Sequence, residues 1–93
     1  MIVQTPPTFI FDYAGLKINV FNVNKGEGLT KHQHLYNHAT ICHAGKCIVR
    51  VNNKEILMTK KTQPIDLPAN IPHEIEALED GTVFVNMFEL DKY

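Results

Sequence analysis

The sequence predicts an all-β domain, a sandwich or barrel of about eight short strands. Three observations carry this. Apolar and polar residues alternate with a period of two in short runs, and turn-forming residues separate those runs. Prolines 64, 68 and 72 exclude a helix from the region before His73.

Taken in order, Phe9-Ile10-Phe11 is apolar and runs into a turn at Asp12–Gly15. Leu16, Ile18 and Val20 alternate with Lys17 and Asn19, the pattern of a half-buried strand. Gly26 and Gly28 then break that strand, since both tolerate positive φ. The stretch His38–Val51 predicts a β-hairpin with Ala44-Gly45 at its tip. That turn pairs Cys42 with Cys47, Ile41 with Ile48, Thr40 with Val49 and His38 with Val51. One face then carries His38, Thr40, Cys42, Cys47, Val49 and Val51, and the other carries Ala39, Ile41, His43, Lys46, Ile48 and Arg50. Asn52-Asn53 makes a second tight turn, because asparagine tolerates the left-handed conformation. Glu55–Met58, Gln63–Leu67, Glu74–Leu78 and Val83–Phe88 follow as short strands, with Asp80-Gly81 between the last two.

A chain of 93 residues makes one domain, residues 1–93. A domain of this size buries only about 60–65% of its unfolded surface, so a bound metal or a dimer interface would help stabilise it. The net charge of -1 and the absence of a basic patch longer than Lys60-Lys61 argue against a nucleic-acid or anionic-membrane partner. No apolar run approaches the roughly 20 residues that span a bilayer, and the first residues do not resemble a signal peptide. The expected location is the cytoplasm. Cys42 and Cys47 are too few for a disulfide framework, and free thiols serving as small core residues are expected. A cross-strand disulfide between them is the strained alternative.

The chemistry lies in the histidines. His32, His34 and His38 fall close together, and His73 follows the turn Pro68–Pro72. Imidazole is the commonest protein ligand for transition metals. On an extended chain His32 and His34 point to the same side, about 6.5 Å apart by strand rise. His34 and His38 alone would suit one helix face, but His32-x-His34 does not, and Asn37 and the β-rich segment after it argue against a helix. His73 then arrives from a distant strand to close a site around one cation.

Those residues resemble a known family. The run Gly26-x5-His32-x-His34-x3-His38-x6-Gly45 resembles the first motif of the cupin superfamily with every spacing kept. It departs from that motif at His38, where cupins usually have glutamate. Pro68-x-Asn70-x2-His73-x3-Ala77 resembles the second motif, preceded by Thr62. There the family tends to have glycine at Thr62 and Asn70, and asparagine at Ala77. Asn70 is a mild change for a left-handed turn, whereas Thr62 and Ala77 are larger departures, and an alanine at 77 puts in doubt any polar contact the family makes there.

The resemblance implies a small jelly-roll barrel (a double-stranded β-helix) with His32, His34, His38 and His73 as ligands of one divalent transition metal. Four neutral imidazoles would leave that ion its full double charge. Ligand softness fits zinc, iron, nickel, copper or cobalt rather than magnesium or calcium. Cupin functions are diverse, so three readings stand. One is an enzyme acting on a small oxygen-rich molecule, as a dioxygenase or as a sugar isomerase or lyase. Another is a non-catalytic module that binds a small ligand. The third is a structural metal closed by four imidazoles. Tyr36, between two ligands, is a candidate general acid or hydrogen-bond donor as well as a candidate rim-packing aromatic.

The remaining polar residues have simpler expectations. His43 lies at the surface, Arg50 meets an ion-pair partner or solvent, and Asp66, Glu74 and Glu76 alternate outward. Ile41 and Ile48 form an opposed apolar pair on the outer face of the expected hairpin, which a second sheet or a second subunit must cover. The family resemblance favours a homodimer.

Overall fold

The computed structural model describes residues 1–90, which fold into two facing five-stranded sheets. One sheet has the order β1-β4-β9-β6-β7, with β1 at Val3–Gln4, β4 at Glu27–His32, β9 at His73–Ala77, β6 at Lys46–Val51 and β7 at Lys54–Thr59. The other has the order β2-β3-β10-β5-β8, with β2 at Phe9–Tyr13, β3 at Leu16–Val23, β10 at Thr82–Glu89, β5 at His38–Ala44 and β8 at Ile65–Leu67. Every pairing is antiparallel except β1 with β4. This is a jelly-roll sandwich. No helix of the described residues is long and apolar enough to cross a membrane.

Strict alternation builds the core. Thr82, Phe84, Asn86 and Phe88 of β10 point inward, as do His73, Ile75 and Ala77 of β9. Phe21 stacks on Phe84 with centroids 4.5 Å apart, and Cys47, Val49, Met58, Leu67 and Ile75 fill the space between the sheets. The turns follow their residues: Ala14-Gly15, Asn52-Asn53 and Asn70 all have positive φ. β1 and β4 are the strands that sequence patterning left unassigned, β1 because it is only two residues long.

The hairpin expected at His38–Val51 is not formed. β5 pairs with β10 and β8, whereas β6 pairs with β7 and β9, so the two strands belong to opposite sheets. Gly45, with φ of 75°, turns the chain across the sandwich instead of back along its own ladder. The inward set survives this change, because an arch and a hairpin share the same alternation: His38, Thr40, Cys42, Cys47 and Val49 are all buried. The pairing does not survive. Cys42 and Cys47 face each other from different sheets as free buried thiols, and burial pushes both thiols up.

The opposed pair of Ile41 and Ile48 is likewise absent. Ile41 sits opposite Val85 on the outside of one sheet, and Ile48 sits between Leu57 and Glu76 on the outside of the other. The continuous apolar outer face belongs to the β10 sheet alone, where Phe9, Phe11, Ile18, Val20, Val85, Met87 and Ile41 share one side by register. The opposite outer face is polar. There Arg50 donates hydrogen bonds to Glu55 at 3.0 Å, Glu74 at 2.8 Å and Glu76 at 2.9 Å, which fulfils its ion-pair expectation.

The arch gives a testable consequence. A Cβ on Gly45 would stand 2.8 Å from Thr82 Cα and in collision with Thr82 Oγ1, at a positive φ. Gly45→Ala should therefore lower stability in urea by about 1–3 kcal/mol. Gly81→Ala, at a similar φ of 73° with nothing nearby, should cost less, since only the backbone contribution remains.

Candidate metal centre

His32 and His73 are ladder partners on β4 and β9, and a register shift puts them there. Gly28 pairs with Glu76 and Leu29 with Ile75, but the next pair is His32 with His73. Three steps on β4 thus match two on β9, the signature of a bulge. Leu29 points inward, so simple alternation would turn Lys31 inward and His32 outward. The extra residue reverses this. Lys31 is exposed, and the His32 ring lies 4.5 Å from that of His73.

His34 follows on the segment between β4 and β5, and two contacts hold that segment against the loop before His73. The Asn70 backbone N–H donates to the His34 carbonyl at 2.6 Å, and the Ala69 N–H donates to Asn37 Oδ1 at 2.7 Å. Asn70 makes its bond from a left-handed conformation, φ 62°. The two histidine-bearing segments are thereby clamped together at one end of the barrel. The His34 ring lies 4.9 Å from His32 and 4.8 Å from His73.

One ligand atom from each of His32, His34 and His73 falls within 4.8 Å of the other two. Donors on opposite sides of one ion with bonds of about 2.1 Å lie about 4.2 Å apart, so the three rings are near the spacing that a single cation requires. His38 stands outside that tight group. It starts β5 on the opposite sheet, with its ring 4.7 Å from His34 and 5.1 Å from His73. All four histidines expected from the sequence thus meet at one place, three of them with donor atoms clustered.

The hydrogen bonds select which nitrogen faces the cluster. His32 Nδ1 lies 2.6 Å from the Thr30 carbonyl and His73 Nδ1 lies 3.0 Å from the Ile71 carbonyl. A carbonyl only accepts, so each Nδ1 carries the proton and donates, which leaves Nε2 with a free lone pair. A ligating imidazole is commonly held in this way. The Nε2 atoms of His38 and His73 are buried with no hydrogen-bond partner, an expensive state that a cation would relieve. The donor set therefore fits a divalent transition metal.

Burial also favours the neutral form of His34, His38 and His73. Desolvation, followed by the like charges of His73 and His32, lowers His34 to about 4. Desolvation and then His34 lower His38 to about 3, and desolvation lowers His73. Neutral imidazole is the form that binds metal.

A cavity of about 240 Å³ opens beside the rings, lined by His32, His34 and His38 together with Asn19, Asn86 and Phe88, and among the described residues by no Lys, Arg, Asp or Glu. Tyr36 also lines it, with its ring stacked on His34 at 4.8 Å and packed 5.0 Å from Phe88. A larger groove of about 490 Å³ lies outside the β6–β7 turn, around Arg50, Glu55 and Glu74. Arg50 there pairs with Glu55 and Glu74, and none of the histidines lines it. The smaller cavity is the one that the histidines line.

Sequence patterning missed Asn19 and Asn86. In β3 the apolar positions Ile18 and Val20 face outward, while Asn19, Phe21 and Val23 face inward. Asn86 falls in step with Phe84 and Phe88. An amide at an inward position of a strand otherwise rich in apolar residues is the signal that could have revealed it.

Solved structures share this architecture. KdgF from Halomonas sp. aligns over 91% of this chain and 81% of its own, with a TM-score of 0.77 and 17% identity. A cupin-2 domain protein from Shewanella frigidimarina aligns over 94% of this chain and 82% of its own, with a TM-score of 0.72 and 14% identity. A cupin superfamily protein from Desulfitobacterium hafniense aligns over 96% and 84%, with a TM-score of 0.71 and 13% identity. The chain has the cupin fold. No protein-family model matches the sequence, and no curated protein does either. In this cupin fold the histidines at the motif positions occupy one end of the barrel, beside its cavity.

The lowered imidazole values set a pH dependence. A group whose proton affinity falls on folding contributes full stability above its unfolded value and loses it as pH drops through the folded one. Chelator-treated protein should therefore lose midpoint temperature progressively from pH 6.5 down to about 3. His38→Gln should flatten that decline in its upper part, where carboxylates are still ionised, as read by thermal unfolding at a series of pH values.

Proposed function

We propose that this protein is a metal-binding cupin that holds one divalent transition metal through His32, His34, His38 and His73 and binds a small oxygen-rich molecule beside it. The convergence of three imidazole donors within 4.8 Å carries this reading. The buried, unpartnered Nε2 of His38, on a ring 4.7 Å from that of His34, supports its place as the fourth ligand. Bound by neutral imidazoles, a divalent ion keeps its double charge and supplies Lewis-acid chemistry to an oxygen ligand. His32 and His73 are held in the ligating tautomer by Thr30 and Ile71, and the ring of Tyr36 braces His34. That packing supports an orienting role for Tyr36 more than a proton-transfer role. The cavity beside His32, His34 and His38 supports a centre open to a ligand, against a shell closed for structure alone.

The identity of the metal separates the catalytic readings. Stoichiometric redox-active iron would favour a dioxygenase. Zinc or nickel would favour an isomerase, a lyase or a binding module. Elemental analysis of protein purified without added metal should find one transition-metal ion per chain. His73→Ala should weaken metal binding by more than the roughly 10–100-fold lost with a ligand's supporting partner, and should lower the midpoint temperature with it. His38→Ala should act in the same direction with a smaller effect. Unchanged metal content in the His73 variant would remove the proposal.

The outer face of the β10 sheet supports a homodimer. Phe9 and Phe11 are 52% and 43% exposed there beside Ile18, Val20, Ile41, Val85 and Met87, an apolar surface of the kind that marks association. Light scattering should give twice the chain mass for the native protein. Val85→Lys, central on that face, should give the single-chain mass with metal content unchanged.

A further inference from the structure

We infer that Asn19 and Asn86 form a hydroxyl-binding subsite on the same sheet as His38 and across the cavity from His32, and that the molecule held there is a small polyhydroxylated one. Asn86 on β10 is the ladder partner of Asn19 on β3 and of Thr40 on β5. Three polar side chains therefore stand in one inward row across adjacent strands, about 4.8 Å apart. Asn86 is 6% exposed and Thr40 is fully buried. The Oδ1 atoms of Asn19 and Asn86 and the Oγ1 of Thr40 are buried, and none has a hydrogen-bond partner.

A row chosen for stability would not look like this. Its neighbour along the same strands is Phe21, Phe84 and Cys42, closely packed and apolar. Each unpaired buried acceptor costs about 1–3 kcal/mol, so three in a row, with two of them lining a cavity, point to a ligand that completes them. Such a stability deficit is expected at binding sites.

The chemistry of the row selects the ligand. A carboxamide presents an acceptor and a donor together, and a hydroxyl satisfies both. A carboxylate offers only acceptors, so it leaves Oδ1 unpaired, and an apolar group satisfies neither atom. Among the described residues no cationic side chain lines the cavity to hold an anion at this end. A ligand would thus turn its hydroxyls to Asn19 and Asn86, and any carboxylate or carbonyl it carries to the histidine side. At about 240 Å³ the cavity has room for about eight groups at roughly 30 Å³ each, the size of a three- or four-carbon polyol. Thr40, buried beside Asn86, is a positioning residue for the row.

The experiment is a calorimetric titration with three probes: glycerate, propionate and erythritol. Glycerate and propionate share a carboxylate and differ in two hydroxyls. Erythritol carries only hydroxyls. Wild-type protein loaded with metal should bind glycerate about tenfold or more tighter than propionate, and should also bind erythritol. Asn19→Leu and Asn86→Leu should each reduce the glycerate preference and erythritol affinity about tenfold, while metal content stays unchanged. Their ligand-free midpoint temperatures should equal or exceed that of the wild type, because an apolar side chain replaces an unpaired amide. If Asn86→Leu does not fold, Asn19→Leu alone decides the matter.

Equal affinity for glycerate and propionate, no binding of erythritol, or a preference that persists in the Leu variants would overturn the subsite. The carboxylate arm rests on the metal reading, whereas the erythritol arm does not. Protein that takes up no transition metal yet still binds erythritol through Asn19 and Asn86 would sink the metal reading and sustain this one.

Discussion

The inward aim of His32 depends on the extra residue between Leu29 and His32, because side chains along a strand alternate without exception unless the ladder slips. With a regular ladder, the position opposite His73 would hold a lysine, and a cationic ammonium would stand where a metal needs a lone pair. The bulge therefore places an imidazole, in place of an ammonium, opposite His73 at no change in composition. The other approaches to the centre follow from it. His34 is carried over by the segment that leaves β4, and Asn70 clamps that segment to the loop preceding His73.

The barrel divides its labour along its length. Toward one end, Phe21, Phe84, Cys42, Cys47, Val49 and Met58 form a closely packed apolar interior, and this region supplies the burial that a domain of this size needs. Toward the other end the interior is polar: His32 and His73 on one wall, His38 and the two amides on the facing wall, and few internal hydrogen bonds between them. Such an end destabilises the isolated fold and is held by the apolar end. Binding energy from a cation and a ligand would offset that deficit, so occupancy and stability should be linked.

The motif spacings were legible because short-range geometry fixes them. A glycine before the strand, histidines at alternate positions and an asparagine able to turn left-handed are local requirements, and Gly26, His32, His34 and Asn70 each meet one. The hairpin at His38–Val51 was misread for an equally physical reason. Alternation says which side chains share a face, and Cys42 and Cys47 do face the same interior, but it does not say which strand lies alongside. β10 comes from the far end of the chain to occupy the place beside β5, and β9 occupies the place beside β6. In β3 the error was of sign: two apolar sides were available, and the more regular one, Leu16, Ile18 and Val20, faces outward.

The sequence by itself determined an all-β chain, its turns, the four histidines and their family spacing, since each is encoded within a few residues. Only the tertiary structure decided that His32 faces His73, that β5 and β6 lie in opposite sheets, and that Asn19 and Asn86 meet across a ladder. These are properties of register and partner choice. They arise when distant strands compete for the same hydrogen-bonding edge, and no local pattern records which of them wins.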